Sequence, residues 1–116
     1  MIKIRANNPQ LLAEHIRQAI FEGRSAFWNV DKEGDYYIKL TEWKGLAWMR
    51  ERFNEREPQS LYYGILEAKD VKMKKSTYAV YHCRLAEFLL SVFDNEIESL
   101  EISSMLDITY DIFSQT

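Results

Sequence analysis

Hydrophobic positions along the chain recur with two periods, and each change of period marks a predicted element. In the opening "MIKIRA", Ile2 and Ile4 alternate with Lys3 and Arg5, which predicts a short strand with one buried face. Asn8 and Pro9 then make a helix start. The Asn side chain can accept from the early amides, and Pro at the first helical position loses nothing by lacking an N–H. Leu12, Ile16, Ala19 and Ile20 recur on one helical face and Gly23 supplies a stop, so the spacing predicts a helix over 9–22.

The two-residue period returns in "SAFWNV" and "DYYIKLTE", separated by the turn formers Asp31 and Gly34. Lys44 and Gly45 make a second turn. Residues 46–53 fit either period, since Leu46, Met49 and Phe53 suit a helix. An edge strand with Trp48, Arg50 and Arg52 on one face is the preferred reading. The charged, Pro58-containing segment 54–60 is a loop, and "LYYGILEA" after it is a strand. A lysine-rich loop leads into a second helix over 76–93, capped by Ser76 or Thr77 and ended by Asp94 and Asn95. "IESLEIS" reads as a strand. In 106–112, Leu106, Ile108, Tyr110 and Ile112 alternate with Asp107, Thr109 and Asp111, which predicts a last strand, with a short terminal helix as the other option.

The order β-α-β-β-β-β-α-β-β, with short turns and no linker or repeat, implies one α+β domain over 1–116. It predicts a largely antiparallel sheet of five to seven strands with both helices on one face. At 116 residues the chain can bury a core without disulfides or metal.

The second helix carries the residues that look most like chemistry. On a helical wheel Tyr78, Tyr81, His82, Leu85, Leu89, Val92 and Phe93 share one arc, opposite Val80, Arg84, Glu87 and Ser91. This makes it a core helix, with His82 a neutral buried residue bonded through a ring nitrogen to tyrosine or backbone. Cys83 points away from His82, so no Cys–His nucleophilic pair is expected. Arg84 and Glu87 can pair across the exposed side. His15 sits at the margin of the first helix's apolar face, and without HxxxH or HExxH spacing no metal site is expected.

Charge changes the picture more than composition does. The net charge of −3 argues against a generic nucleic-acid binder. Yet residues 69–84 hold Lys69, Lys72, Lys74, Lys75 and Arg84 against Asp70 alone, while 94–116 hold only acids: Asp94, Glu96, Glu98, Glu101, Asp107 and Asp111. The single cysteine excludes an internal disulfide and suits a reducing compartment. With no apolar run of spanning length and no secretory signal, a cytoplasmic protein is expected.

Two segments suit binding. Trp28, Trp43 and Trp48 lie close in sequence to Arg50 and Arg52, and Trp and Arg are enriched at protein-binding hot spots. At least one of the three tryptophans is expected to be exposed, anchoring another protein or a second copy of the chain. The alternative is a phosphate-bearing ligand or single-stranded nucleic acid on the loop 69–77, through Lys72, Lys74, Lys75, Ser76 and Thr77. No nucleotide-binding or catalytic motif is present, so neither a cofactor nor catalysis is expected. The expectation is a small non-enzymatic protein-interaction or self-associating module.

Overall fold

The first alternation becomes β1 (Ile2–Ala6), and the Asn-Pro start opens α1 (Pro9–Phe21), with the Asn8 side chain accepting from the Leu11 amide at 3.1 Å. In this computed structural model, which describes residues 1–113, the chain continues through β2 (Trp28–Val30), β3 (Tyr36–Ile38), β4 (Ala47–Phe53) and β5 (Ser60–Glu67). Then come α2 (Lys75–Phe93), a single 3-10 turn (Asp94–Glu96) and β6 (Ile97–Ile102). The strands form one antiparallel sheet in the order β2-β3-β4-β5-β1-β6. The α+β fold with two helices and a six-stranded sheet is thus the one expected from the periodicity.

Both helices cover the same face. Ile2, Ile4, Met49, Leu61, Tyr63 and Ile65 project from the strands into a core shared with Leu12 and Ile16 of α1 and Tyr81, Leu85 and Leu89 of α2. Each such side chain contributes on the order of 1.5–3 kcal/mol of burial before ordering entropy is subtracted. An acid of β4 also faces this side. Glu51 is held by Arg17 at 2.5 Å and takes the hydroxyls of Tyr36 (3.4 Å) and Tyr63 (3.3 Å), so its charge has partners.

Four expectations need correction. Residues 106–112 form no strand: 108–110 are a turn, and only Ile112 bridges, in parallel, to Leu66 of β5. The Asp107 carboxylate accepts from the amides of Thr109 (2.9 Å) and Tyr110 (3.2 Å), which bends the chain where alternation predicts extension. Neither Ser76 nor Thr77 caps α2, because both already lie in its first turn. Lys74 occupies the N-cap position with no side-chain bond. β4 is an interior strand rather than an edge. The strands read at 25–30 and 35–42 shorten to three residues each, since the Ser25 hydroxyl accepts from the Phe27 and Trp28 amides and residues 41–45 turn.

Candidate interaction face and the ammonium clamp

The face away from the helices is built by the other half of the alternation. From β4 it receives Trp48, Arg50 and Arg52, whose register partners on β5 are Leu66, Gly64 and Tyr62. Tyr36 opposite Met49 sets the other flank, placing Tyr37 beside Trp48 and Asp35 beside Arg50. Arg50 is committed there: its Nε and Nη2 donate to the two Asp35 oxygens at 2.9 and 2.8 Å, and this pairing raises its pKa. Arg52 is exposed and makes no ion pair among the described residues. Trp48 and Tyr37 are half-buried.

Over Tyr62 and Gly64 of β5 the same face is closed. Tyr110 stacks on Tyr62 with centroids 4.2 Å apart and planes 9° from parallel. Lys3 donates to Glu57 at 2.7 Å, and Glu57 also accepts the Tyr62 hydroxyl. The tyrosine lid comes this close because β5 has glycine beneath it. A Cβ at Gly64 would lie 1.8 Å from the Tyr110 carbonyl oxygen. The outer face is open at the polar β1–β6 end, where Arg5, Ser99 and Glu101 are exposed, and at an aromatic patch around Tyr37, Trp48 and Arg52.

The other proposed interface residues fall elsewhere. Trp28 is 1% exposed, edge-on to Tyr81 in the core, and offers no surface. Trp43 is half-buried in the 41–45 turn, where its carbonyl accepts the Tyr81 hydroxyl. In the basic loop Lys72, Lys74, Lys75 and Ser76 are exposed, but Thr77 is buried and withdraws from the ligand set. Tyr37 was not among the expected interface residues, because its place beside Trp48 depends on the β3–β4 register.

A second polar constellation lies where β1 starts. The ammonium of Met1 donates to the Tyr78 hydroxyl (2.6 Å), His82 Nε2 (2.7 Å), Ser103 Oγ (3.0 Å) and the Asp111 carboxylate (3.1–3.2 Å). Tyr78 in turn donates to Asp111 at 2.6 Å, and Asp111 also accepts the Ile65 and Asp107 amides at 3.1 and 2.8 Å. The His82 tautomer follows from its partners. Nδ1 lies 2.6 Å from the Tyr78 carbonyl, which can only accept, so Nδ1 carries the proton and Nε2 faces the ammonium with its lone pair.

Burial, then the adjacent ammonium, pushes the His82 pKa down to about 4. Burial also lowers the Met1 amine, with attraction to Asp111 offsetting part of that. Burial alone would raise Asp111, but the Tyr78 hydroxyl and the two amides outweigh it and hold the carboxyl low. Every polar atom here is already spoken for, so the arrangement acts as a clamp joining β1, α2 and the segment after β6. His15, on the other helix, pairs with Glu96 at 2.7 Å near the surface and takes no part in this clamp.

No helix of the described residues is long and apolar enough to cross a membrane. No family model, curated protein or solved structure matches the chain.

Proposed function

We propose that the protein is a binding module without catalysis of its own, docking a protein partner on the open patch of its outer sheet face. The observation that supports this reading is the placement of Trp48 and Arg52 on one interior strand, uncovered by either helix and flanked by Tyr37. A ring on a braced strand loses little side-chain entropy on docking, and an exposed guanidinium supplies directional donors beside it. The exposed, unpaired Cys83 fits a reducing, cytoplasmic setting. The runner-up is a phosphate-bearing ligand on Lys72, Lys74, Lys75 and Ser76, where α2 starts without a side-chain cap.

The test retains interacting proteins from the source cell's extract on immobilised wild type and on the double variant Trp48→Ala, Arg52→Ala. Loss of such anchors should weaken at least one partner by roughly 30-fold or more, with the melting temperature nearly unchanged. Identical retained sets would overturn the reading. Salt-sensitive retention of polyphosphate by both forms would favour the basic loop instead.

A further inference from the structure

β6 is a terminal strand of the sheet, and its outer edge is unpaired. The ladder phase tells which groups point outward. The Ser103 amide donates to the Met1 carbonyl at 2.9 Å, so Glu101 and Ser99, two and four residues back, also turn their backbone groups toward β1. Leu100 and Ile102 therefore present N–H and C=O to the open side, where no described residue meets them. Such an edge is a template for another strand unless something blocks it.

Beside this edge lies one flank of α2. Ala79, Cys83, Ala86 and Leu90 follow one another at three- and four-residue steps, and Ala79 and Cys83 line a groove of about 440 Å³ closed on its other side by Ile102–Met105. Ile102, which lines it, and Leu90, further along the helix, are each 42% exposed. Small residues on the helix leave room for a second helix to approach.

The charges select how a partner would lie. α2 opens from Lys72, Lys74 and Lys75 and ends in Asp94 and Glu96, after which β6, carrying Glu98, runs back in the opposite direction. A two-fold axis through Leu100 sets Ile102 of one chain opposite Glu98 of the other, and Glu101 opposite Ser99, so no acid faces an acid across the strands. The same axis carries the lysine end of α2 to the Asp94–Glu98 end of its counterpart, twice.

We infer that a second copy of this chain pairs antiparallel along β6 about Leu100, joining two sheets into one of twelve strands with the α2 helices side by side. An acidic edge strand would ordinarily repel its own copy. Here the lysines at the start of α2 reach the acids of the opposite chain, so the lopsided charge becomes self-complementary. This dimer uses a different surface from the Trp48 patch and does not rest on it.

The test is light scattering after size exclusion across a concentration series. Wild type should approach twice the 13.8 kDa chain mass, and high salt should shift it back toward one. Two charge-reversed proteins are then made, one Lys74→Glu with Lys75→Glu, the other Asp94→Lys with Glu98→Lys. Each alone should dimerise at least about tenfold more weakly, and their equimolar mixture should recover wild-type affinity to within about threefold, because both contacts are again opposite in sign. Ile102→Pro, which removes an outward N–H without touching the β1 ladder, should also prevent pairing. A wild type that stays at one chain mass at every concentration would overturn the dimer. So would a dimer untouched by the reversals, or a mixture that fails to recover.

Discussion

His82 shows how one residue can be read correctly and still be half understood. Helical arithmetic places it in the apolar arc of α2, where a neutral ring needs a tyrosine or backbone partner, and the bond from Nδ1 to the Tyr78 carbonyl supplies the backbone one. The second partner, the Met1 ammonium, lies 81 positions away and follows no spacing rule. The consequence is a pH dependence. Between pH 6.5 and about 4 the unfolded chain takes up a proton that the folded ring refuses, so stability is full above 6.5 and falls through that window, by roughly 3 kcal/mol. The other charges facing the ring are the ammonium and Asp111. The lowered amine adds its own decline as pH falls below 8, and the depressed Asp111 carboxyl one at more acid pH. Thermal melts of His82→Gln, which keeps an acceptor for the ammonium but no titrating ring, should be nearly flat where wild type falls between pH 6.5 and 4. The same slope in both proteins would remove His82 as its source.

At the scale of elements, the contrast between α2 and residues 106–112 is informative. The predicted helix 76–93 lies within a residue of Lys75–Phe93, because an uninterrupted apolar arc of five turns has no other regular conformation that buries it. The alternation at 106–112 is as clean, yet it yields a turn. Its inward positions still find apolar neighbours, Tyr110 on Tyr62 and Ile112 at Leu66, while Ile108 is left 90% exposed at the bend. What decides the outcome is two carboxylates accepting backbone amides, Asp107 locally and Asp111 from Asp107 and Ile65. The direction of those amides cannot be read from polarity. The lid also depends on a residue outside it. Gly64→Ala would place its methyl 1.8 Å from the Tyr110 carbonyl, so the turn must lift. Urea unfolding should show a loss of about 1–3 kcal/mol, with faster proteolytic cleavage at 106–112. Unchanged stability and cleavage would mean the turn does not sit on β5 in solution.

For the molecule as a whole, the fold class was legible because two helices with one apolar stripe each and a set of alternating strands have few ways to share a core. Strand order was not, since nothing in an alternating pattern says which neighbour it takes. Nor was the open patch, because the place of Tyr37 beside Trp48 depends on the β3–β4 register and the cover over Tyr62 on a turn that read as a strand. The least expected placement is β1, first in the chain but seated between β5 and β6, the last two strands. During synthesis Ile2 and Ile4 leave the ribosome before either partner strand and wait for both. At roughly 5–20 residues per second that wait is on the order of ten seconds, with an apolar strand uncommitted throughout. Chains ending at Glu96 and tethered to the ribosome by an unstructured linker long enough to bring β5 and α2 outside the tunnel, with β6 absent, should be digested readily by protease. Full-length chains released from the ribosome should resist. Resistance in the tethered chain would show that β1 settles against β5 alone. Otherwise the nascent protein passes most of its synthesis as a substrate for holding factors, and becomes itself only at the end.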